Sequence, residues 1–223
     1  MRGHNMTRVQ RIQTVGMCIV AIGCAGLAGC GGTGDKPRGF AYQDIPVAKT
    51  SATGGEGQTV TFKGKPLALA GAGIKVGDSL REVQLAQADL GLTNIAGGKG
   101  KVRIISIVPS LDTKVCEQQT HYLSEKSQGL EKNVELITVS VDTPFAQTRF
   151  AEEAKIKNVT FLSDYRGGDF GKAYGLLVTG PHILARTVMV VDKDNVIRYL
   201  QITPELAQLP DLDAAFKAAK ELL

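Results

Sequence analysis

Hydrophobic and polar positions divide the chain into an apolar leader, a polar stretch, and a long region where strand and helix patterns alternate. That region opens with Thr59-Val60-Thr61-Phe62 and Leu67-Ala68-Leu69, which flank Lys63-Gly64-Lys65-Pro66. Two short apolar runs around a Gly-containing turn predict a β-hairpin. Val83, Leu85 and Leu90 predict a short extended stretch. Lys101 to Val108 is a β-branched run of strand length that stops at Pro109. Its near-continuous apolar character predicts a strand buried on both faces of a sheet. Cys116 to Leu130 suits a helix, with Tyr122 and Leu123 as apolar points and Gly129 near its end. A strand over 134–141, a helix from Pro144, a strand over 159–162 and a helix over 169–174 follow. Strands 187–191 and 196–202 flank a turn at Lys193-Asp194-Asn195. The closing helix, 211–223, carries Leu212, Ala215, Phe216, Ala219 and Leu223 on one side. Strands alternating with helices, then a hairpin and a final helix, predict a mixed α/β sheet.

The leader changes the picture of where the protein goes. Arg2, Arg8 and Arg11 form a basic start, and an apolar run from Val15 to Ala28 follows. The run is too short and Gly-rich to span a membrane comfortably and fits a signal-peptide core. It ends in Leu27-Ala28-Gly29-Cys30, which resembles the lipobox of bacterial lipoproteins. The resemblance implies a signal peptide over 1–29, a lipid on Cys30, and a membrane-anchored protein on the extracytoplasmic face of a bacterial envelope. Residues 30–57, rich in Gly, Thr, Ser, Lys and Pro, are expected to be a flexible linker, interrupted by Phe40, Tyr42 and Ile45 as points that could dock. Residues 58–223 are then a single domain, in keeping with a chain of 223 residues. The formal charge of +4 comes largely from the three leader arginines. The remainder is nearly balanced, which leaves no footprint for nucleic acid.

Cysteine usage narrows the chemistry. Of four cysteines, Cys18 and Cys24 fall in the leader and Cys30 at its end, so Cys116 is the free thiol of the mature protein. There is no CxxC pair and no Cys/His cluster, so no metal or cofactor is expected. Pro109-Ser110-Leu111-Asp112-Thr113-Lys114-Val115-Cys116 lies between the buried strand and the next helix. A Cys in the first helical turn faces unsatisfied N–H groups and the positive end of the helix dipole, and both favour the nucleophilic thiolate.

These residues resemble the P-x-x-x-[TS]-x-x-C signature of the peroxiredoxins, and more closely the thiol peroxidase subfamily, the atypical two-cysteine peroxiredoxins. Two further stretches are similar to that subfamily: Pro144-Phe145-Ala146-Gln147-Thr148-Arg149-Phe150, and Leu184-Ala185-Arg186-Thr187-Val188. The resemblance implies a thioredoxin-like fold, a central mixed sheet flanked by helices with an N-terminal hairpin. It implies a peroxidase in which Cys116 attacks a hydroperoxide while Thr113 and Arg186 hold the peroxide oxygens and Pro109 shields the site. A homodimer is implied as well. Ala151 departs from the subfamily, which usually keeps a resolving Cys there. An external thiol or a thioredoxin-like reductant would then close the cycle, or two Cys116 residues would cross-link between chains. The rival reading is a catalytically weak binding or holdase module on the same fold. His121 and His182 have no signature beside them, and His121 is expected to be solvated; Asp112 and Asp142 read as loop residues.

Overall fold

The structure, a computed structural model, describes residues 39–223. The leader and Cys30 lie outside the described residues. The elements are β1 (Thr59–Phe62), β2 (Lys65–Ala70), β3 (Gln84–Ala86), β4 (Leu92–Asn94), β5 (Val102–Ile107), α1 (Lys114–Glu125), β6 (Val134–Ser140), α2 (Pro144–Glu153), β7 (Thr160–Ser163), α3 (Asp169–Tyr174), β8 (Leu177–Val178), β9 (Ile183–Leu184), β10 (Thr187–Val191), β11 (Ile197–Ile202) and α4 (Leu212–Lys220). Seven strands form one sheet in the order β11-β10-β5-β6-β7-β3-β4. Its middle, β5-β6-β7, is parallel, and the flanking pairs are antiparallel. A small second sheet runs β1-β2-β8-β9.

Every residue of β5 is buried, as the apolar run 101–108 predicts. Alternation sends its side chains to two cores. Ile105 and Ile107 pack with Leu85, Phe170, Tyr174 and Met189 on one face. Ile104 packs with Leu123, Leu136, Val190 and Phe216 on the other, under α1 and α4. The charged member of the strand, Arg103, is also buried. It donates to the Ile95 carbonyl at 2.5 Å and to Asn195 Oδ1, tying β5 to the turn before β11. Burial holds its guanidinium below its usual range.

Several boundaries differ from the sequence pattern, each for a local reason. The helix expected to reach Leu130 ends at Glu125, because Gln128 and Gly129 take positive φ and start a separate 3₁₀ turn at Leu130–Lys132. Leu90 is not in a strand. It sits at φ +66° in a turn and is exposed. The first hairpin turns through Lys63 and Gly64, both at positive φ, the conformation a two-residue hairpin loop requires. In α4, Leu223 falls past the helix end and is exposed, so it drops out of the apolar stripe.

The largest difference concerns the polar stretch up to residue 57. From Phe40 onward it is docked rather than free. Val47 bridges Leu209 in parallel, with Ala48 N donating to Leu209 O (2.8 Å) and Leu209 N to Pro46 O (2.9 Å). Ala52 N donates to Ile202 O (2.8 Å), and Ile202 N to Ser51 Oγ (3.0 Å). β11 is an edge strand, and the stretch satisfies its free backbone groups at Ile202 and pairs at Leu209 with the segment that follows it. Composition alone could not reveal this, since backbone pairing needs no apolar side chain.

Candidate active site

β5, its following loop and α1 place Cys116, the candidate nucleophile. β5 ends at Ile107, and Val108 N donates to Val139 O (3.0 Å). Pro109 then turns the chain and is itself buried. Thr113 is the N-cap residue of α1 in extended conformation, which puts Cys116 at the third helical position. It therefore belongs to the first turn, whose N–H groups have no partner within the helix. Cys116 is completely buried, packed with Val108 and Leu111 and against Phe150 and Phe161.

Arg186, between β9 and β10, comes from seventy residues away and meets it. Nη2 of Arg186 lies 3.3 Å from Cys116 Sγ. The guanidinium is 2% exposed, and its other donors are held: Nε donates to Leu206 O (2.9 Å) and Nη1 to Gln119 Oε1 (2.8 Å). Gln119 Nε2 in turn donates to Ser106 Oγ on β5 (2.8 Å). A chain of hydrogen bonds thus runs from β5 through α1 to the arginine and the sulfur. Sequence reasoning missed Gln119. The signal was a polar residue one helical turn after Cys116, on the side of α1 that must face the sheet.

Thr113 is exposed, and its hydroxyl does not cap the helix. It donates instead to the Ser110 carbonyl (3.2 Å). The structure therefore brings Cys116 and Arg186 into contact, buries Pro109 at the start of the loop before α1, and leaves Thr113 exposed. Asp142, expected to be an ordinary loop residue, holds the Pro109–Thr113 loop. Its carboxylate accepts from Ser110 Oγ (2.8 Å) and from Leu111 N (2.7 Å). The register explains it: β5 and β6 run parallel with Ile107 opposite Val139, and the same offset carried three residues further sets Ser110 opposite Asp142.

His121 overturns its expectation. It is 6% exposed, its ring is stacked on Phe40 at 4.0 Å, and Nδ1 lies 2.9 Å from Glu125 Oε1. Its Nδ1 is paired with Glu125 rather than with Cys116, whose sulfur faces Arg186. His182 is exposed at φ +54°. In the second motif stretch, Gln147 is buried and Phe150 packs toward Cys116, while Phe145 is 67% exposed. Ala151 lines an open cleft of about 660 Å³ between α2 and β7, with Gln147, Lys155 and Phe161. Among the described residues Cys116 is the free cysteine, no group of acidic, His and Cys side chains could hold a metal, and no helix is long and apolar enough to cross a membrane.

Comparison with known proteins places this geometry. Residues 75–216 match the Redoxin family. A thiol peroxidase of Halalkalibacterium halodurans is 41% identical over 165 residues, which span 74% of this chain and 99% of the relative. A thiol peroxidase of Aquifex aeolicus is 41% identical over 169 residues, 74% of this chain and 99% of that protein. The crystal structure of a peroxiredoxin-like protein from Aquifex aeolicus superposes with a TM-score of 0.70 at 40% identity, covering 76% of this chain and all of that one. The thioredoxin-like peroxiredoxin fold is thereby established, and the chain belongs to the redoxin family as one of its thiol peroxidases.

Proposed function

We propose that the chain reduces hydrogen peroxide and organic hydroperoxides through a sulfenic acid on Cys116, and that an external thiol restores the enzyme. The observation that carries this reading is the 3.3 Å contact between Cys116 Sγ and Arg186 Nη2 in a buried setting. A binding module on the same fold would have no use for a buried guanidinium against a lone thiol.

In the first half-reaction the thiolate attacks the terminal oxygen of ROOH. An S–O bond forms as the O–O bond breaks, and the electron pair leaves on RO⁻, which takes a proton to become ROH. Sulfur is oxidised to Cys–SOH and the peroxide is reduced. Arg186 is already fixed by Leu206 O and Gln119, so its charge meets the developing oxyanion without rearranging. In the second half-reaction a thiol R′SH attacks the sulfenic sulfur, giving Cys–S–S–R′ and water. A second R′SH releases Cys116 as thiol and leaves R′SSR′. Ala151 supplies no thiol to compete with that route.

Mass analysis after one equivalent of peroxide tests the cycle. A dimedone-type probe should trap Cys116 as sulfenic acid, and excess peroxide should carry it to sulfinic acid. In Ala151→Cys the same treatment should give an internal disulfide. Wild-type protein recovered mainly as a Cys116–Cys116 dimer that still turns over would replace the external thiol with resolution between chains. We also propose that a lipid on Cys30 holds the enzyme at the extracytoplasmic face of the envelope. Cys30→Ser should move it from the membrane to the soluble fraction, and unchanged fractionation would refute the anchor.

A further inference from the structure

Cys116 has no exposed surface. A peroxide is small, but an external thiol must bring a whole molecule in line with the sulfur. The start of α1 therefore has to open during the reductive half-reaction, and whatever holds α1 down governs that step. The internal holders are Gln119 and Arg186. A second set of contacts lies on the outer side of the helix and comes from the docked stretch at 40–52.

That stretch grips α1 at three points. Gln118, 4% exposed, exchanges two hydrogen bonds with the Gln43 backbone: Gln43 N donates to Gln118 Oε1 (2.7 Å) and Gln118 Nε2 to Gln43 O (2.9 Å). Phe40 stacks on the His121 ring at 4.0 Å, with planes 14° apart. Tyr42 donates its hydroxyl to Glu125 Oε2 (2.8 Å), while His121 Nδ1 occupies the other oxygen of the same carboxylate. Tyr42 also stands edge-on to Phe40 and to Tyr122. Its phenol is pushed above the usual range by burial and by the Glu125 carboxylate, which keeps it a donor. Five residues on, the same stretch pairs with Leu209, close in sequence to Leu206, whose carbonyl fixes Arg186. One segment therefore spans the supports of both Cys116 and Arg186. It lies outside the family match, which begins at residue 75, and relatives aligned over 99% of their own length account for 74% of this chain.

We propose that residues 40–52 are a strap that sets how readily the Cys116 turn of α1 opens to an external thiol, with Phe40, Tyr42, Gln118 and His121 as positioning residues. The strap slows the exposure of the sulfur to reductant after oxidation, while Leu206 O and Gln119 hold Arg186 for the peroxide step without it. The proposal rests on the external-thiol cycle only for its consequence; opening itself is measurable without peroxide.

The test uses the full-length chain and the double variant Phe40→Ala/Tyr42→Ala. Alkylation of reduced Cys116 by iodoacetamide reports opening, because a buried sulfur reacts only when uncovered. Two lost aromatic contacts should raise the alkylation rate about tenfold. Reduction of the sulfenic acid by dithiothreitol should accelerate by a similar factor, and the sulfinic fraction at fixed peroxide should fall. Oxidation by one equivalent of hydrogen peroxide should change much less. Should the double variant fail to fold, Phe40→Leu/Tyr42→Phe carries the same test with an expected change of about threefold. Alkylation equal to wild type in the folded variant overturns the strap. Faster alkylation with no gain in thiol reduction keeps the strap and instead counts against the external-thiol cycle. Both half-reactions slowing together would show a merely structural element and also overturn the proposal.

Discussion

The units β5–loop–α1 and β6–loop–α2 are built alike and do different things. Each strand is buried, each is followed by a loop and a helix, and each helix sends a buried glutamine back to a serine on its own strand. Gln119 reaches Ser106 Oγ at 2.8 Å, and Gln147 reaches Ser140 Oγ at 3.0 Å. The glutamines part company at the remaining contacts. Gln147 spends its second N–H on Leu162 O (2.9 Å), an anchor to the next strand. Gln119 offers its oxygen to Arg186 and so to Cys116. In the proposed cycle, a shared device for seating a helix becomes a support for the reacting sulfur only where an arginine is added. The two loops also hold each other, since Asp142 from the second unit fixes the loop of the first.

That contrast breaks most sharply at the arginine. Arg186→Ala removes the donor that faces the sulfur and the developing oxyanion. The rate constant for oxidation of Cys116 by hydrogen peroxide should fall about 10²- to 10³-fold, the range for losing one preorganised donor. Stopped-flow measurement with unchanged far-ultraviolet circular dichroism checks it. A drop of less than fivefold would mean that the helix N-terminus alone activates the sulfur.

Gln119→Ala and Gln147→Ala then separate the two units directly. The first should slow peroxide reduction about tenfold, because Arg186 keeps Leu206 O but loses the contact that orients its other edge. The second should leave the rate within about twofold and lower stability by about 1–3 kcal/mol, the cost of stranding buried partners on Ser140 and Leu162. Urea unfolding read beside kinetics distinguishes them. Equal rate losses in both variants would abolish the distinction.

The contrast also shows what could be read from the sequence and what could not. The mixed sheet was legible because β5, β6 and β10 are β-branched runs and α2, α3 and α4 begin where Pro144, Asp169 and Asp211 predict, whereas β4 was not foreseen. Cys116, Pro109 and Arg186 were legible as a motif set, and the structure puts Arg186 against Cys116 with Pro109 buried at the start of the intervening loop. Gln119 and Asp142 were not. Their importance comes from strand register and helix face, which place residues far apart in sequence against one loop. The two-residue strands β8 and β9 carry too few positions for any periodicity. His121 and the strap were misjudged in different measure. The stretch read as a flexible linker, although Phe40 and Tyr42 were marked as points that could dock and do; His121 was expected in solvent, whereas its ring is stacked on Phe40.

The smallest expected effect tests how far the support of Arg186 extends. Leu206 O fixes Arg186 Nε, and Leu206 follows Glu205, which ties this segment to the β1–β2 turn. Glu205 Oε1 accepts from Lys63 N (2.9 Å) and Ala207 N (3.0 Å), and Oε2 from Gly64 N (3.1 Å) and the Thr61 hydroxyl (2.9 Å). Partial burial opposes ionisation, but these donors outweigh it and hold the carboxyl below its usual range. A depressed folded value means that the unfolded state binds the proton more readily. The stabilisation is therefore present at neutral pH and is lost as pH falls through the folded value. Glu205→Gln should cost about 1 kcal/mol at pH 7, since the amide keeps one acceptor but surrenders the charge. The gap from wild type should narrow as pH drops below about 4, where the unfolded carboxyl is protonated too. Thermal melts at several pH values measure that gap. A constant gap would assign Glu205 a packing role, and the charged tie would then end at Leu206 rather than reach the first hairpin.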